Sequence, residues 1–136
     1  MKGVPQMNKQ LPPVMALAYL GDARHSLYIR RMLIERGLVK SADLNREALE
    51  YVTAEAQARA FERICESLTE EELAVFQRAR NSTHLNRPKH ASGREYRTAT
   101  GFEAVIGMLH YLGDEERIEY LLKKSCCEEE KDDTKN

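Results

Sequence analysis

Apolar residues recur at spacings of three and four positions along most of the chain, which is the pattern of amphipathic helices. No alternating run of β-branched and polar residues predicts a strand. The helical segments are VMALAYLGDARHSLYIRRMLIER, SADLNREALEYV, TAEAQARAFERICESL, TEEELAVFQRAR, one from about Tyr96 to Leu112, and EERIEYLLKKSCC. The sequence therefore predicts an all-α fold.

Polar residues mark where several of these helices begin. Thr69 and Glu72 have the spacing of a capping box, and Asp114 precedes the last apolar segment. Thr53 lies either at a cap between two helices or at a bend inside one. Gly37 follows a basic turn and is expected to end the first helix.

Residues 81–95, NSTHLNRPKHASGRE, interrupt the periodicity and are rich in Asn, Ser, Pro and Gly, which predicts a loop. We call residues 78–97 the basic segment because their only acid is Glu95. Its basic residues are Arg78, Arg80, Arg87, Lys89, Arg94 and Arg97. Such a run favours a polyanion as partner, and the simpler alternative is a solvated surface loop. A long loop without secondary structure in a compact domain is more often functional.

Composition limits the remaining possibilities. The chain has 136 residues, enough for one domain. We expect this domain to span residues 1–127 and an acidic, disordered tail to follow at 128–136, with five acids against two lysines. No apolar run is long enough for a membrane span and no signal peptide is evident. Cys65, Cys126 and Cys127 have no metal-binding spacing and form no obvious disulfide framework, so a reducing, cytoplasmic location is expected.

Two carboxylates lie in unusual positions on the predicted helices. Glu103 is at the edge of an apolar stripe formed by Phe102, Val105, Ile106, Leu109 and Leu112. An isolated charge beside a core is costly unless it is paired or coordinated. The simpler alternatives for Glu103 are a partly exposed carboxylate or one paired with a buried arginine.

Asp22 has a similar position if the first segment is one helix. One face then carries Ala16, Leu20, Ala23, Leu27 and Ile34, and the opposite face carries Met15, Ala18, Asp22 and Ile29. A helix that is apolar on two sides is expected to be largely buried, with Asp22 among apolar neighbours. The alternative is that Gly21 breaks the helix and Asp22 caps a new one.

Gly107 lies one turn beyond Glu103 on the same side of its helix, where glycine costs about 1 kcal/mol relative to alanine. A packed helix or a ligand should therefore approach that side closely. If the two helices pack together, their carboxylates would form a site for Mg²⁺, which prefers oxygen ligands and retains water. Together with the basic segment, such a site indicates metal-assisted hydrolysis of phosphodiester bonds.

The motif LAYLGDA followed far downstream by FEAVIG resembles the paired signatures of the ribonuclease III catalytic domain. The stretches AEAQARAF, RARN…PKHA and YRTATGFEAVIGMLHYLG are similar to the Mini-III branch of that family. The resemblance covers about residues 12–124. It leads us to expect a catalytic domain alone, without a following RNA-binding domain.

The resemblance implies an all-helical homodimer that cleaves double-stranded RNA with Mg²⁺, or Mn²⁺ in its place, and without a small-molecule cofactor or a membrane. The implied substrate is the precursor of large-subunit 23S ribosomal RNA. Asp22 and Glu103 take the places of the family's catalytic, metal-binding aspartate and glutamate. The basic segment matches the loop that reaches toward the RNA.

The chain departs from ordinary ribonuclease III at three positions. Met15, Ala18 and Thr100 occupy places where that enzyme has acidic residues. Two carboxylates therefore stand in place of four or more, and the number of bound ions is open. A catalytically silent RNA-binding or ribosome-assembly protein is the alternative function, and a purely structural helical dimer is a third.

Overall fold

The computed structural model describes residues 10–82 and 92–126. These residues form six helices and a short 3₁₀ turn, without a strand among them, which confirms the all-α prediction. The elements are α1 (Val14–Glu35), α2 (Ser41–Val52), α3 (Ala54–Ile64), the turn Cys65–Ser67, α4 (Glu70–Ser82), α5 (Gly93–Leu112) and α6 (Glu115–Cys126). No helix in this part of the chain is both long and apolar enough to cross a membrane.

The predicted caps are confirmed. The Thr53 hydroxyl accepts a hydrogen bond from the backbone N–H of Ala56 at 3.2 Å, so Thr53 separates α2 from α3. Thr69 and Glu72 form the reciprocal pair of a capping box, at 2.9 and 3.1 Å. The Asp114 carboxylate accepts from the N–H of Arg117 at 3.2 Å. These local signals are sufficient to fix where three helices begin.

The helices on both sides of the predicted loop extend further than the sequence predicted. Asn81 and Ser82 continue α4, and α5 begins at Gly93 rather than near Tyr96. Ser92 and Glu95 form a second capping box, which the sequence contained and the pattern of apolar residues did not reveal. Residues 83–91 of the predicted loop lie outside the described residues, as does the acidic tail.

α1 is one continuous helix, so the alternative in which Gly21 breaks it is wrong. The expectation that both faces of α1 are buried is also wrong. Its inner face carries Leu17, Ala18 and Ile29, whereas Tyr19, Leu27 and Ile34 are 85%, 61% and 58% exposed. Within one copy of the chain, no described helix covers this outer apolar face.

α5 is the central helix and packs against α1, α3, α4 and α6. Phe102, Val105 and Ile106 are almost fully buried at its centre. An ion pair joins α4 to α6 at the edge of this core, with the Arg117 guanidinium donating to both carboxylate oxygens of buried Glu72 at 2.9 and 2.8 Å. The packing of α1 and α3 on α5 brings the unusual polar residues together.

Candidate active site

Asp22 of α1 and Glu103 of α5 are in direct contact, because their side chains are joined by a hydrogen bond. The two helices approach closely at this point, where Gly21 of α1 faces the backbone of Glu103 and Gly107 of α5 faces the backbone of Leu17. The prediction that something packs closely against Gly107 is therefore confirmed. The close neighbour is a helix.

The two carboxylates differ in their surroundings. Asp22 is exposed, which corrects the expectation that it lies among apolar neighbours. Glu103 is half-buried, and burial raises the pKa of its carboxyl group to about 8, with a further contribution from the hydrogen bond and the charge of Asp22. The two carboxyl groups therefore repel each other less when Glu103 carries its proton.

No basic side chain among the described residues contributes to the pKa shift of Glu103, so pairing with a buried arginine is not supported. Arg24, two residues after Asp22, is turned toward α6. Its guanidinium donates to Glu115 at 2.9 Å and to Glu119 at 3.0 Å. Arg24 therefore does not neutralise the negative charge of the Asp22–Glu103 pair.

Gln57 of α3 completes the cluster. Its side chain is hydrogen-bonded to Glu103, which lowers the pKa of that carboxyl group and partly offsets the effect of burial. The Gln57 amide nitrogen also lies 3.2 Å from Nδ1 of His25. Gln57 and His25 are 1% and 2% exposed, so this hydrogen bond is inaccessible to water.

His25 packs edge-on against Phe102, with the ring centroids 5.3 Å apart. Burial lowers the pKa of His25 to about 4, and the nearby charge of Asp22 opposes this shift. The imidazole is therefore neutral at physiological pH. A neutral, enclosed ring is suited to accept a hydrogen bond from Gln57 and unsuited to compete for a metal ion at the exposed side of the site.

The donor set fits a hard divalent cation. Two carboxylates meet at an accessible point, and carboxylate oxygens are the ligands that Mg²⁺ and Mn²⁺ prefer. Nothing in the described part of the chain adds a third acid, histidine or cysteine to form a larger metal-binding group. Ala18 is buried and the Thr100 hydroxyl donates to the carbonyl of Tyr96 at 3.0 Å, so neither supplies a charged ligand.

The basic segment is only partly brought together. Arg80, Arg94 and Arg97 line one groove of about 750 Å³ between α3, α4 and α5. Arg78 lies elsewhere, in a smaller cavity beside Leu11. Arg87 and Lys89 lie outside the described residues.

Sequence reasoning did not identify Gln57, His25 or Arg59 as parts of this region. Gln57 lies on the buried face of α3 with Ala60 and Ile64, and a polar residue in an apolar stripe is the same signal that pointed to Glu103. Arg59 lines the groove of Arg80 and also the cavity next to His25. His110, on the same helix as Glu103, lies 3.6 Å from Glu115 of α6.

The chain is similar to a known protein family and to several known proteins. Residues 15–114 match the ribonuclease III domain family. The Mini-ribonuclease 3 of Symbiobacterium thermophilum is 45% identical over 113 residues, covering 83% of this chain and 86% of the relative. The Mini-ribonuclease 3 of Streptococcus pneumoniae is 46% identical over 109 residues, covering 79% and 85%. A crystal structure of a Fusobacterium nucleatum protein is 32% identical, with a TM-score of 0.75 and coverage of 81% of this chain and 88% of that one.

The chain therefore belongs to the ribonuclease III family. It is an endoribonuclease, a hydrolase acting on the phosphodiester bonds of double-stranded RNA. Enzymes of this family depend on divalent metal ions. The curated relatives above are named for the Mini-III branch, as the motifs indicated.

Proposed function

We propose that Asp22 and Glu103 are the catalytic carboxylates and that they hold Mg²⁺, with Mn²⁺ as a substitute. The observation that carries the proposal is the contact between the two side chains, formed by helices that are far apart in sequence. When bound, the ion supplies a Lewis acid that polarises a phosphate oxygen and activates a water molecule. It also favours the ionised form of Glu103, because a divalent charge outweighs the repulsion from Asp22.

The protein's own residues have separate tasks in this proposal. Asp22 lies on the accessible side, where the phosphodiester arrives, and Glu103 is the more enclosed ligand. Neutral His25 is buried behind them and takes no proton from the attacking water. The chemistry therefore depends on two carboxylates rather than on a histidine base.

The basic residues Arg78, Arg80, Arg87, Lys89, Arg94 and Arg97 are proposed to contact RNA phosphates. The groove supports this for Arg80, Arg94 and Arg97, because all three line it together with Arg59, although Glu55, Glu62 and Glu95 line it as well. Contacts of this kind contribute affinity without reading sequence.

The finer description of the substrate and assembly also belongs to this proposal. We infer a cytoplasmic homodimer that matures the ends of 23S ribosomal RNA precursors. The relatives named Mini-ribonuclease 3 support the kind of enzyme, and the outer apolar face of α1 supports a second copy as partner. Two sites related by a two-fold axis would allow both strands of a duplex to be cut in one encounter.

The deciding experiment compares cleavage of a perfect RNA duplex by the wild type and by Asp22→Asn, Glu103→Gln and Glu116→Gln. Glu116 is an exposed carboxylate on α6 and gives a matched control. We expect cleavage with Mg²⁺ by the wild type and the control, none with EDTA, and a loss of at least about a thousandfold in the two site variants. All four proteins should fold, as measured by circular dichroism.

An Asp22→Asn protein that cuts at the wild-type rate would overturn the assignment of the carboxylates. A wild type that binds duplex RNA and never cuts it, with either metal, would instead favour the silent RNA-binding alternative.

A further inference from the structure

Gln57 is a buried polar residue that joins a proposed metal ligand to a second buried polar side chain. Its side chain is hydrogen-bonded to the Glu103 carboxylate, and its amide nitrogen lies 3.2 Å from Nδ1 of His25. The three residues belong to α1, α3 and α5. Gln57 thus connects α3 to the proposed active site.

The chemistry of these groups fixes their orientation. An ionised carboxylate only accepts hydrogen bonds, and an amide nitrogen only donates them through its two hydrogens. The Gln57 NH₂ group can therefore donate one hydrogen bond to the Glu103 carboxylate and the other to Nδ1 of His25. That arrangement requires the His25 tautomer with its hydrogen on Nε2. Without His25 as acceptor, the Gln57 amide could rotate. Its oxygen would then face Glu103 and repel the carboxylate.

The surroundings leave Gln57 little freedom. Ala56 and Ala60, its neighbours on the buried face of α3, are small and enclosed. His25 is held from the other side by its edge contact with Phe102. Because both groups are held in place, the direction of the hydrogen bond between them is fixed. Partners of metal-binding side chains commonly fix the orientation of those side chains in this way.

Glu103 needs such support more than Asp22 does. Two carboxylates in contact repel one another when both are ionised, so each tends to rotate away from the other. An N–H donated from the enclosed side holds Glu103 without adding a positive charge that would compete with a cation. A lysine or arginine at this position would neutralise the site.

We propose that Gln57 is a positioning residue of the active site, whose amide holds the Glu103 carboxylate in the orientation that lets it share one metal ion with Asp22. His25 in turn holds the amide. This inference rests on the proposed function, since it assumes that Asp22 and Glu103 bind the metal.

The test replaces Gln57 by methionine, which has a similar length and no hydrogen-bond donor. Gln77→Met, at an exposed position of α4, is the matched control. Binding of Mn²⁺ alone is measured by calorimetry and by the thermal shift of the full chain, and duplex cleavage is measured at low and saturating Mg²⁺. We expect the Mn²⁺ dissociation constant of Gln57→Met to rise by about tenfold or more, with KM for RNA unchanged. Gln77→Met should match the wild type.

A second pair of variants keeps the test decisive if Gln57→Met does not fold. His25→Asn retains an acceptor near the position of Nδ1, whereas His25→Leu removes it, and both lose the aromatic contact with Phe102. We expect His25→Leu to bind Mn²⁺ several-fold more weakly than His25→Asn, because only the asparagine variant still offers an acceptor to the Gln57 amide. A role in packing alone would change their melting temperatures without separating their metal affinities.

The outcomes distinguish this inference from the proposed function. If the wild type shows no metal-dependent stabilisation, both fail. If the wild type binds metal through Asp22 and Glu103 but Gln57→Met has the same dissociation constant, only the positioning role is overturned. Equal Mn²⁺ affinities in the two His25 variants would overturn it in the same way.

Discussion

Gly21 and Gly107 face each other where α1 crosses α5, and each lies where the other helix leaves no room for a side chain. A Cβ built on Gly21 would lie 2.8 Å from the backbone nitrogen of Gly107, and one on Gly107 would lie 2.9 Å from that of Gly21. The Gly21 methyl would also overlap the carbonyl oxygen of Glu103. The contact between Asp22 and Glu103 depends on this approach, because a wider crossing would separate the two carboxylates.

Replacing Gly21 by alanine should therefore be severely destabilising. The obstructing atoms belong to a backbone in the middle of the core, so the helices must separate and well-packed contacts are lost. We expect a loss of at least about 3 kcal/mol in the free energy of unfolding, measured with urea, and loss of cleavage.

Gly37 provides the comparison for this variant. It has φ of 101° and open space around its α-carbon, so Gly37→Ala should cost only about 1–2 kcal/mol. Asparagine tolerates this conformation and should restore part of the loss at Gly37. Gly21→Ala with stability equal to that of Gly37→Ala would contradict the close crossing.

The stability of the metal-free protein should depend on pH through Glu103. Its pKa rises from 4.5 to about 8 on folding, so the folded state favours the protonated form. The stabilisation from this group is complete below pH 4.5 and is lost as pH rises toward 8. In EDTA, Glu103→Gln should therefore be more stable than the wild type at pH 8.5 by at least about 1.4 kcal/mol, the equivalent of one pKa unit.

This measurement is best made as the difference between variant and wild type across pH. His25, whose pKa falls from 6.5 to about 4, titrates with the opposite sign and cancels in the difference. Adding Mg²⁺ at high pH should stabilise the wild type and leave Glu103→Gln nearly unchanged. A difference that does not vary with pH would show that Glu103 is not destabilised when ionised.

The outer face of α1 should be the contact between two copies. Tyr19 and Leu27 are large, apolar and exposed on one helix, as expected for a surface that is covered in the assembly. Light scattering should give about twice the chain mass of 15.6 kDa for the wild type. Leu27→Glu should give a single chain mass.

Val39→Glu is the control for this substitution, because Val39 is 80% exposed and lies beyond the end of α1. It should retain the double mass. A Leu27→Glu protein that stays at the wild-type mass would place the dimer contact on another surface.

The arginines of the groove should affect binding of RNA more than its hydrolysis. Arg94→Ala combined with Arg97→Ala should weaken duplex binding at low salt and reduce the slope of log affinity against log salt by about 1–2. The rate at saturating RNA should change little. Arg46→Ala, which removes an exposed arginine paired with Asp43 on α2, is the control.

Alanine at Arg87 and Lys89 should have the same kind of effect as the groove variants. If the groove double variant binds with the wild-type salt slope, the RNA follows a different surface. Equal losses for Arg46→Ala would show that only the total charge of the protein matters.

Much of this architecture follows from local sequence. The caps at Thr53, Thr69 and Asp114 act over three residues, so each is visible in the sequence and each is present in the structure. The all-α fold class follows from the periodicity of apolar residues, which is also a short-range property of the sequence. Asp22 and Glu103 were identifiable because a charge in or beside an apolar stripe is unusual, although their roles came from resemblance to a family.

Other features depend on contacts between distant parts of the chain. Periodicity marked both faces of α1 as apolar, and only the packing against α5 decided that Ala18 is inside while Leu27 is outside. The sequence shows Gln57 only as a polar residue in the apolar stripe of α3, and folding places it between Glu103 and His25. Sequence determines which residues can form a helix and cap it, because those interactions are short-range. Tertiary structure decides which helix faces meet, because that depends on the shape of every other surface in the core.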